Sequence, residues 1–396
     1  MPEERRRVRE YARAFPATFV PDFRLFFYYP NLMNTSARLD ALRAQLAKLK
    51  CDALAVSHPT NVRYLTGYSG SSGLVLITRD EPIFFTDFRY QQQAAAQVGA
   101  VAKVKIAPQG DGLWKAAMKT IKKRDFKALG FEAQHLSVAS FGEIQKMAGK
   151  NTQFIATQGA VEKLRAIKSD EELAVIREAV RIADEVMQEA LEMLRPGLSE
   201  LEVAYAIERG IRARGGSGTS FETIVASGAR SALPHGVASD KIIEKGDLVT
   251  IDMGALYHGY CSDMTRTVCV GKAGKKQREI YGLVYRAQVA ACQAIRAGAN
   301  CKAIDAVARD MISEAGYGDD FGHGLGHGVG VDIHEAPRLA KAGKGSLKAG
   351  MVVTSEPGVY LADWGGVRIE DMLVVTDDGA DILTQTPKPK RLLEVG

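Results

Sequence analysis

The sequence LVTIDMGALYHGYCSDMTRTVCV, residues 248–270, determines the architecture of the second part of the chain. An apolar strand ends at Asp252, a turn region follows, and Asp263 leads a second apolar strand. Residues 351–375, MVVTSEPGVYLADWGGVRIEDMLVV, repeat this plan with two glutamates in place of the aspartates. The repeat predicts two similar halves, each containing a β-hairpin, with the two hairpins facing each other.

Each repeat is preceded by a pair of segments with helical periodicity. Ser169 is followed three residues later by Glu172, which is a capping-box signature for the start of the first segment. We therefore expect residues 160–390 to form an α+β domain with a pseudo-twofold internal repeat. The four helical segments are 169–194, 198–214, 276–297 and 302–315.

The first part of the chain alternates helices and strands, a pattern typical of a layered α/β domain, which we place at residues 36–158. Residues 1–34 are interrupted by prolines and lack a sustained period, so we expect an irregular leader. Met33 is a candidate for the true start of the protein. The rival interpretation is that residues 1–34 form an arm that docks on a partner subunit. A leucine stripe at 39, 42, 46 and 49 predicts the first helix, and further helices are expected near 88–98, 111–123 and 137–148. The predicted strands are 53–56, 74–77, 83–85, 102–106 and 128–131.

The composition is that of a soluble globular protein, with 46% apolar and 25% charged residues. A net charge of +5 on 396 residues is too small and too dispersed to indicate a nucleic-acid partner. Five cysteines without a C-x-x-C pair favour a reducing compartment. The sequence contains no apolar run of the roughly 18 residues that a membrane helix requires. We therefore expect a cytoplasmic protein that binds neither nucleic acid nor membrane.

Four acids stand at strand ends in the two repeats, and they indicate a metal site. A single buried carboxylate is more often a satisfied structural group, but each ionised carboxylate in a core costs several kcal/mol unless a cation offsets it. The stretch FGHGLGHGVGVDIH, residues 321–334, adds three of the chain's seven histidines among glycines that let the backbone approach a site closely. Four carboxylates match the charge of two divalent ions. The acids are Asp252, Asp263, Glu356 and Glu370.

Oxygen ligands with one imidazole suit manganese, which we prefer, or cobalt, iron or zinc, over calcium or a thiolate zinc site. Two such ions lower the pKa of a shared water and polarise a carbonyl group. This arrangement predicts hydrolysis of an amide or an ester.

The motifs of the second part resemble those of the pita-bread metallopeptidases, which include aminopeptidase P, prolidase and methionine aminopeptidase. The first part resembles the creatinase-like domain that precedes the catalytic domain in aminopeptidase P and prolidase, and the resemblance extends over residues 36–388. The second-part motifs are Pro234–Gly236, Ile251–Gly254, Ser262–Thr267, Gly326–Gly330, His334–Pro337, Ser355–Tyr360 and Val367–Asp371. The first-part motifs are Asn61–Gly67, Gly70–Gly73 and Phe85–Tyr90, and Leu164–Leu173 matches the domain junction.

The resemblance implies a role for each matching residue. Glu356 would both bind metal and accept a proton from the attacking water. His235 and His334 would contact the substrate and the developing oxyanion. His323 and Arg368 would line the substrate pocket. The alternative interpretation is structural for both residues: His323 would serve only as a packing residue, and Arg368 would serve only to hold the acid pair. The implied metal ligands are Asp252, Asp263, His327, Glu356 and Glu370.

Three functions are compatible with this pattern. The stretches Gly70–Gly73 and Phe85–Tyr90 favour an Xaa-Pro aminopeptidase, which acts on peptides with proline in second position. The alternative is a prolidase restricted to Xaa-Pro dipeptides. A non-catalytic peptide-binding module is the third, but such relatives lose metal ligands, and all five positions are filled here. The resemblance also implies a homodimer.

Overall fold

The computed structural model describes residues 34–396 and separates into two compact units, the first ending at Thr157 and the second beginning at Gln158. The leader predicted at residues 1–34 lies outside the described residues except for Asn34. The Asn34 side chain accepts a hydrogen bond from the backbone amide of Ala37 and so caps the first helix.

The first unit contains a six-stranded mixed sheet in the order β4-β3-β2-β1-β5-β6. Its strands are β1 (Ala53–Val56), β2 (Leu74–Thr78), β3 (Ile83–Thr86), β4 (Lys103–Ile106), β5 (Ala128–Glu132) and β6 (Gln153–Thr157). Its helices are α1 (Thr35–Gln45), α2 (Pro59–Thr66), α3 (Gln91–Val98), α4 (Leu113–Lys123) and α5 (Val138–Ala148).

The sequence pattern predicted most of this unit, with three differences. Helix α2 was not predicted, because its eight residues are too few to show a clear helical period. The leucine stripe extends to residue 49, but α1 ends at Gln45 because the chain turns there, with Lys50 at a φ of 56° and the Cys51 amide bonded to the Leu46 carbonyl. Strand β6 was not predicted, since only its last residue, Thr157, is fully buried and its alternation is weak.

The second unit contains two large sheets, the first mixed and the second antiparallel, each covered by helices. Both long leading helices begin with a capping box, at Ser169 with Glu172 and at Ser199 with Glu202. Its helices are α6 (Glu162–Arg165), α7 (Asp170–Met193), α8 (Glu200–Ala213), α9 (Lys275–Ala294) and α10 (Cys301–Glu314).

The first large sheet has the order β20-β12-β9-β8 and the second has the order β14-β13-β15-β18-β19. The strands of the first are β8 (Ile224–Ser227), β9 (Leu248–Met253), β12 (Met264–Val270) and β20 (Glu394–Val395). The strands of the second are β13 (Gly326–Gly328), β14 (Glu335–Leu339), β15 (Val352–Ser355), β18 (Asp371–Val375) and β19 (Ala380–Ile382). Two smaller sheets contain β7 (Gly218–Thr219), β10 (Ala255–Tyr257) and β11 (Tyr260–Cys261), and β16 (Gly358–Leu361) with β17 (Gly365–Arg368).

The two predicted hairpins are present. Strand β9 pairs antiparallel with β12, and Asp252 lies opposite Thr265. Strand β15 pairs antiparallel with β18, and Ser355 lies opposite Asp371. Each hairpin therefore carries its two acids at one end, next to the last paired residues.

Each hairpin packs on its own helices. Side chains of α7 and α8 form one apolar core with β9 and β12, and side chains of α9 and α10 form another with β15 and β18. Each half of the predicted internal repeat therefore has its own hydrophobic core between its helices and its hairpin. Within residues 34–396, no helix has the length and apolar character needed to cross a membrane.

The second core provides a stability test, because Leu373 on β18 lies opposite Ile382 on β19 while their side-chain environments differ. Leu373 is 1% exposed and Ile382 is 41% exposed. We predict that Leu373→Ala lowers the free energy of unfolding by about 2–5 kcal/mol, whereas Ile382→Ala lowers it by about 1 kcal/mol or less.

The measurement is urea unfolding followed by the fluorescence of Trp364, which packs against this core, in a Trp114→Phe background that removes the chain's other tryptophan. Equal losses for the two alanine variants would contradict the assignment of Leu373 to the core.

Candidate metal centre

The four acids at the hairpin ends meet at one cavity of about 510 Å³. Asp252, Asp263 and Glu370 are buried, at 9%, 4% and 1% exposure, and Glu356 is half-buried. Such burial removes the water that normally stabilises ionised carboxylates, so the cluster requires compensating positive charge.

His327 lies between the acids. Its Nε2 atom is 3.6 Å from Asp263 Oδ2 and 3.3 Å from Glu356 Oε1. Its Nδ1 atom lies 3.1 Å from the carbonyl oxygen of Gly328. Because a carbonyl oxygen only accepts, Nδ1 carries a proton, and Nε2 of the neutral ring is left to bind a cation.

Several oxygen atoms of the acids lack partners. Within residues 34–396, Asp252 Oδ1 and Glu370 Oε1 are buried without a hydrogen-bond donor. Ligand atoms of Asp263, His327 and Glu370 lie within 4.8 Å of one another, close enough to share one ion. Orphaned carboxylate oxygens next to an imidazole nitrogen are a donor set that divalent metal ions fit.

The pKa values of these groups show the same unbalanced charge. Burial and repulsion between the acids raise the pKa of Asp263 and of Glu370 well above their usual ranges. Burial opposes ionisation of Glu356 as well, but the hydrogen bond and charge of His327 outweigh it and lower the pKa of Glu356. In turn, the two acids overcome the burial of His327 and raise its pKa to about 9. The metal-free cluster therefore binds protons that a cation would displace.

Arg368 supports Asp252. This arginine is 3% exposed and donates from Nη2 to Asp252 Oδ2 at 2.7 Å, and from Nη1 to the Pro234 carbonyl and the Tyr360 hydroxyl at 3.1 and 2.9 Å. The Tyr360 hydroxyl also lies 2.9 Å from Nε2 of His323. Arg368 thus contacts an acid and a tyrosine, and its guanidinium group lies almost entirely out of solvent.

His235 and His334 are exposed in the cavity wall. The His334 ring meets the His327 ring edge-on, with centroids 4.4 Å apart. Partial burial and the charge of His327 lower the pKa of His334, which keeps its ring neutral near pH 7. The structure thus brings all nine predicted site residues to one cavity. They are Asp252, Asp263, His327, Glu356, Glu370, His235, His334, His323 and Arg368.

The loop that carries His235 is closed at its base by Glu200, which is 0% exposed. The Glu200 carboxylate accepts hydrogen bonds from the backbone amides of Ser227 and Ser239 at 2.7 and 3.1 Å, and from Nε of Arg230 at 3.0 Å. Residues before and after His235 are therefore tied to one saturated carboxylate, which fixes the loop.

The segment that carries His334 is held by a buried charge cluster. The Glu335 carboxylate contacts Nη2 of Arg165 at 2.5 Å and Nζ of Lys168 at 3.2 Å, and Arg165 also donates to Asp332 at 2.6 Å. Two cations and two acids balance within the cluster. Because Asp332 and Glu335 flank His334, their ion pairs with Arg165 and Lys168 fix the segment of His334.

Sequence analysis missed several residues of the cavity and its supports. Tyr360 lies inside a quoted motif, and Arg338 follows another motif by one residue, so proximity to a motif was the available signal for both. Glu200 gave only a helix-start signal, as a residue next to the N-cap Ser199. Ile333 lies in the quoted stretch 321–334 and Val237 directly follows the motif Pro234–Gly236, so both shared that signal. The remaining residues gave no signal, because their sequence neighbours are ordinary; they are Phe221, Glu222, Ile224 and Ala340.

Comparisons with known proteins cover both parts of the chain. Residues 38–167 match the Creatinase/Prolidase N-terminal domain, and residues 174–377 match Metallopeptidase family M24. The chain is 44% identical to the uncharacterized peptidase YqhT of Bacillus subtilis and 40% identical to the Xaa-Pro dipeptidase of Pyrococcus furiosus. Each alignment covers 89% of this chain and 98% of the relative.

Solved structures share the fold. The Xaa-Pro dipeptidase from Bacillus anthracis is 42% identical, with a TM-score of 0.87 over 91% of this chain and 100% of that structure. The X-Pro aminopeptidase from Thermotoga maritima is 35% identical, with a TM-score of 0.81 over 89% of this chain and 100% of that structure. With both units matched and the hairpin acids meeting at one cavity, the chain belongs to metallopeptidase family M24, the pita-bread metallopeptidases, with a creatinase-type N-terminal domain.

Proposed function

We propose that this peptidase is an Xaa-Pro dipeptidase. Relatives that carry this name are 40% identical over nearly their whole length, and a solved structure of that name has the TM-score of 0.87. The motifs of the first domain favoured an aminopeptidase, and these similarities favour the dipeptidase alternative instead.

The main structural support for the dipeptidase proposal is the unpaired guanidinium group of Arg338 in the cavity wall. Its exposed side chain lines the cavity next to His334, and within residues 34–396 its guanidinium group has no hydrogen bond or ion pair. A dipeptide presents a free carboxylate one residue beyond the scissile bond, where a longer peptide presents a neutral amide. A free guanidinium group in the wall would bind that carboxylate and so favour dipeptides.

In this proposal the ligands of two divalent ions are Asp252, Asp263, His327, Glu356 and Glu370. When bound, the ions would act as Lewis acids on the scissile carbonyl and would lower the pKa of the attacking water. Manganese as the metal and a homodimeric assembly are parts of the proposal that rest on the family resemblance. A cytoplasmic location is a part that rests on the five cysteines without a C-x-x-C pair.

The protein's own side chains would handle the protons and the developing charge. His327 keeps Glu356 ionised, so Glu356 would accept a proton from the attacking water and return it to the proline nitrogen, which needs one to leave as an amine. His235 and His334 would donate hydrogen bonds to the oxyanion that forms at the carbonyl. Arg368 would hold Asp252 in place.

The first test of the proposed function uses Ala-Pro, Ala-Pro-amide, Ala-Pro-Ala and Ala-Ala as substrates. We predict that kcat/KM for Ala-Pro exceeds that for each of the other three at least tenfold, roughly 1.4 kcal/mol of transition-state binding. Arg338→Gln should reduce the preference for Ala-Pro over its amide, whereas Lys344→Gln, an exposed lysine outside the cavity lining, should not. Faster cleavage of Ala-Pro-Ala than of Ala-Pro would identify an aminopeptidase instead.

The second test is metal removal. Chelation should abolish peptidase activity and lower Tm, because the acids then repel one another, and manganese should restore both. Asp263→Asn should bind less metal and lose the metal-dependent part of Tm, while the exposed Asp240→Asn should behave like the unmodified protein. Fewer than one bound ion per chain after reconstitution of the unmodified protein would refute the metal assignment.

The third test separates ligands from substrate contacts. His235→Ala and His334→Ala should lower kcat about 10²-fold or more while metal content stays normal. His327→Ala should lose metal as well as activity, because its Nε2 lies between two acids. The measurement is the metal content of the three purified variants. An equal loss of metal in all three would show that the division into one metal ligand and two substrate contacts is wrong.

A further inference from the structure

Glu222 is a charged residue of the cavity wall for which the proposed reaction has no use. The other acids of the cavity stand at the hairpin ends. Three of them contact His327 or Arg368, and Glu370 accepts a hydrogen bond from Thr265. Glu222 is exposed, and its carboxylate forms no hydrogen bond or ion pair with any residue of the described part, 34–396. An unpaired carboxylate in a substrate cavity is available to a cation on the substrate.

The position of Glu222 follows from the sheet register. Ile224, two residues later, lies opposite Asp252 on the neighbouring strand β9, and the amide of Ser220 donates to the carbonyl of Gly254 at 2.9 Å. The segment that precedes β8 therefore runs along the acid end of β9. This places Glu222 in the wall on the Asp252 side of the cavity.

Arg338 comes from a different wall. Strand β8 is the edge of the first large sheet, whereas β14, which contains Arg338, is the edge of the second. The two unpaired residues of opposite charge thus lie at different sheets, with Glu222 just before the edge strand β8 and Arg338 on the edge strand β14. In a dipeptide, the first residue and the terminal carboxylate lie on opposite sides of the scissile bond, so a carboxylate held by Arg338 leaves the first residue toward the wall of Glu222.

The surroundings of Glu222 suit a long side chain. Phe221 and Ile224 on the same wall, together with Ile333, supply apolar surface in the cavity lining. Lysine and arginine bury their methylene stems on apolar surface and extend a charged end beyond it. A carboxylate beyond an apolar patch complements that combination.

We propose that Glu222 is a specificity-determining residue that favours substrates whose first residue is lysine or arginine. This inference rests on the proposed dipeptidase function and assigns the substrate class within it. Because the carboxylate is exposed, the expected preference is modest, about two- to fivefold in kcat/KM at low ionic strength, and it should weaken as salt screens the pair.

The experiment compares Lys-Pro with norleucyl-proline, which has the same chain length without the charge. kcat/KM for both is measured on the manganese-loaded full-length enzyme with Glu222, Glu222→Gln or Glu222→Lys. Glu279→Gln, an exposed acid on α9 outside the cavity lining, is the matched control for net charge.

The ratio of kcat/KM for Lys-Pro to that for norleucyl-proline should be about two to five in the unmodified enzyme and in Glu279→Gln. It should fall to about one in Glu222→Gln and below one in Glu222→Lys. Glu222→Asp, which keeps the charge, should retain part of the preference and so distinguishes loss of charge from a folding defect.

The contrary outcomes are distinct. A ratio that Glu222→Gln leaves unchanged, with both dipeptides cleaved, overturns this inference and leaves the proposed function standing. An equal loss on both dipeptides would assign Glu222 to the α-ammonium group that they share and would also overturn it. Cleavage of neither dipeptide by the unmodified enzyme overturns the proposed function and this inference together.

Discussion

The repulsion among four carboxylates at the ends of two hairpins is the constraint on which the second unit depends. Antiparallel pairing of β9 with β12 and of β15 with β18 brings these acids into one buried cluster. The apolar cores beneath the hairpins hold them there despite the cost of burying charge. Arg368 and His327 offset part of that charge, and the orphaned oxygens of Asp252 and Glu370 mark what they leave uncompensated.

A second layer of charge fixes this arrangement from behind. Asp371, next to Glu370 in sequence, accepts hydrogen bonds from Arg266, Gln288 and Lys388. Although burial opposes it, the charges of Arg266 and Lys388 lower the pKa of Asp371, whereas burial and neighbouring acids raise that of Glu370. Two acids adjacent in sequence therefore have opposite roles, one structural and one facing the cavity.

Much of the fold was predictable because it is encoded locally. The apolar runs at 248–251 and 352–354 predict buried strands, Ser169 with Glu172 predicts a helix start, and the acids after each run give the site. The supports of the site were not predictable, because they connect residues far apart in sequence. Glu200 closes a loop 27 to 39 residues away, and Arg165 contacts Glu335 across 170 residues. Hydrophobic periodicity is measured over short stretches of sequence, so it cannot indicate contacts between residues this far apart.

The distinction between two peptidase activities depends on similarly distant residues. Arg338 and Glu222 come from different sheets, and their common cavity appears only in the folded chain. Sequence motifs in the first domain pointed to the aminopeptidase, whereas the similar proteins named Xaa-Pro dipeptidase and the free guanidinium group favour the dipeptidase. In the proposed function, substrate length would be decided in the cavity wall, while the metal ligands would be shared by both activities.

The central claim is that the hairpin acids and His327 hold two divalent ions. A crystal structure of the manganese-loaded protein, with an anomalous difference map recorded near the manganese absorption edge, tests it most directly. We expect two anomalous peaks per chain within the cluster of Asp252, Asp263, His327, Glu356 and Glu370. A fully folded chain with no peak there, or with peaks only at other sites, would contradict it.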